Sequence, residues 1–315
     1  MPTSLKKNKT KEKALLCLSF SSDGIAYAYT DHPHTEAPIK HCGFLKCTEK
    51  KRRATLSAFV KENQLKNKEC SIVLNPEEYS TLLFDAPNVK ESEYQQAAKW
   101  LLKDLVAFPL SETIIDTFPT FSVTQKKKIY VVAAKEADLK IYARLIFQSN
   151  LKLTRIDITE MALRNILLLD EQKENGSALL YYFNNKLHIL IYKDHMIYFT
   201  RAFFVNLKDN DDDHTQLFQE IQKSLDYYQS QMRQPAPDRL LLTKNLTAMT
   251  EIKDALTQNL SIPVETLALP EKMICRTAIP EKIQLDALNV IGETQHYIVN
   301  DLLQPAQEAA HDSTS

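Results

Sequence analysis

Apolar and polar positions fall into short strand-like runs, separated by longer stretches with a helical repeat. The pattern is densest from Ser177 to Leu242. There Ala178–Phe183 and Lys186–Tyr192 mix apolar and β-branched residues and meet at Asn184-Asn185, a pair that tolerates positive φ in a tight hairpin. A turn at Lys193-Asp194-His195 leads to a third strand, Met196–Val205. An acidic loop, Asp209-Asn210-Asp211-Asp212-Asp213, precedes a helix from Gln216 to Met232. Its Leu217, Phe218, Ile221, Leu225 and Tyr228 form one apolar stripe. Leu240–Leu242 then supplies a short strand. A hairpin, a third strand and a helix returning to a strand predict a mixed α/β sheet with helices packed on it.

The rest of the chain repeats these signals. Ala14–Phe20 and Ile25–Thr30 read as a hairpin around Ser21-Ser22-Asp23-Gly24. A polar stretch with His32, His34, His41, Cys42 and Cys47 follows. Thr55–Asn63 reads as a helix, and Glu69–Leu74 and Tyr79–Ala86 as strands. Glu91–Phe108 reads as one helix, with acidic residues in its first turn and Pro109 as its stop. In it Trp100 lies off the apolar stripe, either as a partly buried packing residue or as an interface anchor. Thr113–Phe118 and Lys128–Ala134 are strands, with Lys126-Lys127-Lys128 a solvated turn. Ala137–Ser149 is a helix, Leu153–Ile158 a strand and Glu160–Leu169 a helix. Residues near 78–150 thus form a compact unit inserted into a larger fold. Further on come a helix at Thr247–Leu260, a strand at Pro263–Leu267 and a helix within Leu285–Asn300. Leu285, Leu288, Asn289 and Gly292 resemble a small-residue packing surface on that last helix.

Composition narrows the function. The chain has 315 residues, 44% hydrophobic and 25% charged, with net charge −1, ordinary usage for a globular protein of two or more domains. A whole-molecule polyanion binder is excluded, and basic residues do not interleave with aromatics as a nucleic-acid surface requires. No apolar run is long enough to span a bilayer and no signal-peptide core is present, so a cytoplasmic location is expected. Five cysteines, an odd number, fit reduced thiols there. The basic stretch 1–13, with Lys6, Lys7, Lys9, Lys11 and Lys13, reads as a disordered tail or a weak tether to anionic lipid. From Pro305 onward the chain is polar and reads as disordered. Glycine is scarce: Gly24, Gly43, Gly176 and Gly292 are all four. Phosphate-cradling loops rely on glycine for close backbone approach to the anion.

Few residues suggest chemistry. Asp209, Asp211, Asp213 and Glu220 sit at calcium-loop positions, but His214 stands where glycine makes the sharp turn. The loop reads instead as solvated acids at a helix N-terminus, with Asp212 or Asp213 as its cap. The spacing of His32, His34, His41, Cys42 and Cys47 fits no pair-plus-pair zinc pattern. No nucleophile elbow, Walker loop or dinucleotide fingerprint is present. No catalytic residue and no metal site is therefore expected.

Several pieces together resemble the PilM family, the cytoplasmic actin-like proteins of type IV pilus assembly, with MshI of the mannose-sensitive haemagglutinin pilus as the nearest branch and the cytoplasmic part of GspL as a distant relative. They are Trp100-Leu101-Leu102-Lys103-Asp104-Leu105 with Phe108-Pro109-Leu110 and Asp116; Ile129-Tyr130-Val131-Val132-Ala133-Ala134-Lys135; Leu153–Ile158; Tyr198-Phe199-Thr200-Arg201; and Glu220 to Tyr228. The tail Leu5-Lys6-Lys7 is similar too. The resemblance implies an α/β, actin/Hsp70-like (ribonuclease H-like) fold of two lobes around a cleft, with a small inserted α+β subdomain. It divides the chain into a first lobe (14–170, insert at about 78–150), a second lobe (171–284), a helix returning to the first lobe (285–303) and tails at 1–13 and 304–315.

The family holds nucleotide on glycine-containing turns, and all three depart from that pattern here. The first reads Cys17-Leu18-Ser19-Phe20-Ser21, the second Tyr181-Tyr182-Phe183-Asn184, and the third Thr243-Lys244-Asn245. The resemblance therefore implies a degenerate ATPase without ATP or Mg²⁺ at Ser19, Ser21, Phe183, Asn184, Lys244 and Asn245. It implies a scaffold that binds the N-terminal cytoplasmic segment of a PilN- or MshJ-like inner-membrane protein and links it to the assembly ATPase, at the inner membrane of a Gram-negative bacterium. By position Tyr79, Leu83, Phe84 and Trp100 are candidates for that groove. Contact with anionic membrane through the Lys-rich tail and self-association are further expectations, nucleic acid is not. The competing expectation is an active ATPase of the same machinery, or a type II secretion component of the GspL kind.

Overall fold

The computed structural model describes residues 14–34, 39–170, 173–205, 215–243, 250–270, 273 and 284–301. The same sheet is built twice. In the first, β1 (Leu15–Ser21), β2 (Gly24–Thr30) and β3 (His41–Lys46) run antiparallel to one another, and β4 (Glu69–Leu74) and β8 (Lys152–Ile158) extend β1 in parallel, giving the order β3-β2-β1-β4-β8. In the second, β9 (Ser177–Phe183), β10 (Lys186–Lys193) and β11 (Met196–Phe204) are antiparallel, and β12 (Leu240–Leu242) and β13 (Val264–Thr266) extend β9 in parallel, giving β11-β10-β9-β12-β13.

Each central strand is covered on both faces, so its apolar run is nearly continuous rather than alternating. Leu15 and Cys17 of β1 face a core between the sheets, whereas Leu16, Leu18 and Phe20 face the outer layer. That outer layer holds α1 (Arg52–Glu62) and α3 (Glu136–Gln148), through Leu56, Phe59, Val60, Tyr142, Leu145 and Ile146. The second sheet's outer face is covered by α5 (Thr215–Ser230) and α6 (Thr250–Asn259). Between the sheets lie α4 (Thr159–Leu169) and α7 (Gln284–Thr294), packed on each other and, through Leu163, Ile166, Leu167, Val290 and Ile291, on both lobes. Gly292 makes the close approach possible, because a Cβ there would run into the carbonyl oxygen of Ala162.

A third sheet, β5 (Tyr79–Asp85), β6 (Thr113–Thr120) and β7 (Lys128–Lys135) in the order β5-β7-β6, is inserted between β4 and α3 and carries α2 (Tyr94–Leu101). It has its own core of Ala98, Leu102, Ile115, Ile129, Val131 and Ala133. It also rests on the second lobe. Thr120 Oγ1 donates to the Ile197 carbonyl at 2.7 Å, the Thr200 amide donates to Tyr130 Oη at 3.1 Å, and the Phe121 and Tyr198 rings stack at 4.8 Å.

Four expectations need correction. The helix read over Glu91–Phe108 is α2 alone: the chain turns after Leu101, and Asp104 takes a positive φ of 64°. His41–Lys46, read as part of a polar stretch, is an edge strand. The helix read into the inserted unit, α3, packs both on β7 of that unit and on β8 and α1 of the first lobe, so the first lobe's core continues into the insert. Cys17, Cys47 and Cys70 are free thiols, but Cys42 is disulfide-bonded, against the reading of reduced thiols throughout. Both basic and polar tails and the acidic loop 209–213 lie outside the described residues.

Candidate functional site

The first and second lobes meet at the ends of β1 and β9. The two-residue turn Ser22-Asp23 closes the β1–β2 hairpin, and Gly24 opens β2. The glycine serves packing here, since a Cβ would collide with the Leu45 carbonyl of β3. Ser19 is buried, and its Oγ donates to Asn75 Oδ1 at 3.3 Å. Asn75 in turn donates through Nδ2 to the Phe20 carbonyl at 2.8 Å and through its amide to Glu78 at 2.7 Å. The Ser21 carbonyl accepts from Arg52 Nη2 at 2.7 Å.

Across the cleft, Asn184 and Asn185 turn β9 into β10 with φ of 48° and 61°, the mirror-image turn that matches hairpin twist. Asn184 Nδ2 donates to Glu77, which lies in the loop after β4, so this turn is bonded to the first lobe. Phe183 is half-buried against the core between the sheets. The third turn begins at Thr243, whose amide donates to the Leu180 carbonyl at 3.1 Å; Lys244 and Asn245 lie outside the described residues.

Deeper in, Glu160 at the start of α4 joins the lobes. It accepts from Tyr79 of the insert and, at 3.4 Å, from Tyr181 of β9. Burial pushes its carboxyl above the ordinary range, against the pull of the two tyrosines. Tyr181 also stacks on His188 with ring centroids 4.7 Å apart, and burial, aided by Lys186, pushes His188 down to about 4. The side chains that bond between the lobes here are thus Asn184 with Glu77, and Tyr79 and Tyr181 with Glu160.

A second buried polar cluster lies under β1, β4 and α7, and sequence reasoning missed it. Arg155 of β8 donates through Nε to Glu293 at 2.9 Å and approaches Asp157 at 3.8 Å. Asp157 Oδ2 is 3.9 Å from His296 Nδ1, while Asn300 and His296 Nε2 are hydrogen-bonded at 2.7 Å. Among the described residues, Asp157, Glu293 and His296 are the one set of potential metal ligands that converges, within 4.8 Å. Burial, with Asp157 nearby, pushes Glu293 up to about 8. Burial, with Arg155 and Arg164, pushes His296 down to about 3. The guanidinium of Arg155 already supplies the positive charge between the carboxyls and opposes a second cation by Coulomb repulsion. The one sequence signal was a pair of charges, Arg155 and Asp157, set among Leu153, Ile156 and Ile158 in a strand. The histidines and cysteines of the 32–47 stretch form no such set: Cys42 is in a disulfide, and the His34 ring lies 4.5 Å from that of Tyr297.

The four groove candidates do not share one face. Tyr79 is buried and bonded to Glu160. Leu83 packs against the core between the lobes, and Phe84, the next residue, packs on the opposite side of β5 against the insert's core. Trp100 stands 79% exposed, which overturns its reading as a packing residue. β5 itself is an edge strand, paired on one side with β7. One open cavity of about 980 Å³ lies between the end of β5, the start of α2 and Gln125–Lys127, and another of about 490 Å³ between α2, the β6–β7 turn and Met196. Neither is lined by the cleft turns or by the four candidates.

No protein-family model matches the chain, and no curated protein matches it by sequence. Solved structures do. A chain of the PilM-PilN type IV pilus biogenesis complex superposes with a TM-score of 0.68 at 13% identity, over 90% of this chain and 98% of that one. The cytoplasmic domain of EpsL, an inner-membrane component of the type II secretion system of Vibrio cholerae, gives 0.51 at 10% identity, over 89% and 94%. A Bacteroides thetaiotaomicron protein with an actin-like ATPase fold gives 0.51 at 11% identity, over 86% and 97%. With the duplicated sheet, these similarities show that the chain has the actin-like ATPase fold.

Proposed function

We propose that the chain is a non-catalytic scaffold of a type IV pilus or related secretion assembly. It captures the short cytoplasmic N-terminal segment of a membrane-anchored partner, PilN- or MshJ-like, and couples it to the motor ATPase at the cytoplasmic face of the inner membrane. The observation that carries this reading is the bonding of the cleft to itself. Asn184 of the second lobe holds Glu77 of the first at a turn where this fold presents phosphate-binding backbone, and deeper in Glu160 ties Tyr79 to Tyr181. Glu77 stands at that place, and Ser19 and Asn75 bond each other, Glu78 and the backbone. A polyphosphate would meet the Glu77 carboxylate and turns without the family's glycines, which counts against ATP here. The fold's likeness to a chain of the PilM-PilN complex supports a partner of that kind.

The capture site we favour is the free edge of β5. It presents Ser80 to Phe84 half-buried, with no charge before Asp85, and such an edge pairs readily with an extended peptide. Pull-down of N-terminal peptides of inner-membrane pilus proteins on the full chain tests the reading. Enrichment that is lost when Thr81 or Leu83 is replaced by Pro supports it, because proline removes an edge donor. Failure to enrich any such peptide contradicts it.

A further inference from the structure

We propose that the outer face of α2 is a contact surface for an anionic lipid bilayer. Ala98 and Leu102 bury one side of the helix against the insert's sheet. Trp100, two residues from Ala98 and so roughly 200° round the helix, faces away from that sheet. It is the single tryptophan of the chain and is 79% exposed. Lys99 and Lys103 flank it, both exposed, and neither forms a salt bridge among the described residues. Beyond the turn at Asp104, the one acidic side chain between Tyr94 and Ser111, Leu105 is 55% exposed.

The chemistry fits the boundary between headgroups and acyl chains. An indole has an apolar body and one N–H donor, which suits a layer that is greasy below and wet above. Lysine stems lie along apolar surface while their ammonium groups reach anionic phosphates. Trp100 stands on an exposed helix face flanked by Lys99 and Lys103, whose charge complements anionic headgroups. One such anchor gives marginal attachment, and the lysines of residues 1–13 supply a second signal on the same chain. The surface is separate from the β5 edge and does not depend on peptide capture.

Tryptophan emission tests it directly, because every photon comes from Trp100. The full chain is mixed with vesicles of phosphatidylethanolamine and phosphatidylglycerol, and separately with phosphatidylcholine. The expected result is a blue shift and quenching by brominated acyl chains with the anionic vesicles only. In co-sedimentation, Trp100→Ala weakens binding by about tenfold or more, and Lys99→Ala and Lys103→Ala each by roughly fivefold. Unmoved emission from protein that does pellet assigns the binding to the N-terminal stretch and overturns the proposal. A blue shift that follows protein concentration without vesicles, or appears only with a partner peptide, overturns it in favour of a protein contact. Equal pelleting of Trp100→Ala and the parent chain does the same.

Discussion

Glu293 is fully buried, 0% exposed, with Arg155 as its charged partner. Its carboxyl is pushed up to about 8, so the folded chain keeps a proton that the unfolded chain releases near 4.5. The folded state binds more protons across that interval, and stability falls as pH rises from 4.5 to 8. His188 and His296 act in the opposite sense. Pushed down to about 4 and about 3 from 6.5, they stay neutral where the unfolded chain gains a proton, and stability falls as pH drops below 6.5. Two histidines outweigh one carboxyl below 6.5, so these groups together place the maximum near 6.5, and Glu293→Gln flattens the limb from 6.5 to 8. Calorimetric melting at several pH values checks both limbs; an unchanged alkaline limb in the variant contradicts the assignment. Glu293→Ala removes the acceptor of the Arg155 guanidinium and leaves it with Asp157 alone, a loss of about 1–3 kcal/mol in chemical denaturation.

At the scale of elements, the account rests on α7 lying tightly on α4. Gly292→Ala places a methyl group against the Ala162 carbonyl, and a loss of about 1–3 kcal/mol or more is expected from denaturant titration. Tyr130→Phe removes the hydroxyl that accepts from the Thr200 amide between insert and second lobe. It costs about 1 kcal/mol, with faster hydrogen exchange at Thr200 as the local signature. The strands of both lobes were legible because their apolar runs are bounded by turn residues; the Asn184-Asn185 and Asp194-His195 turns take the positive φ their types allow. β3 was not legible, since His41, Gly43 and Lys46 dilute the alternation of an edge strand. The end of α2 was misjudged because Leu105 and Phe108 continue the helical spacing after Asp104 has turned the backbone. Glu293 and Arg155 stand 138 positions apart, and no local pattern reports such a pairing.

At the scale of the whole molecule, the duplicated sheet and the two helices between its copies keep the framework of the actin-like fold. The proposed difference is in the use of the cleft. Side chains of both lobes and of the insert bond across it, through Glu77 with Asn184 and Glu160 with Tyr79 and Tyr181. The turn sequences around Ser19, Ser21, Phe183 and Asn184 were legible as lacking glycine. The acids bonded across the lobes, Glu77 and Glu160, were not, because they come from the β4–β5 loop and α4. Opening this cleft for nucleotide would have to break those bonds and set phosphate beside Glu77. Isothermal titration of the full chain with Mg-ATP tests this most directly. The account predicts no saturable heat at millimolar nucleotide, and saturable binding in the micromolar range would contradict it.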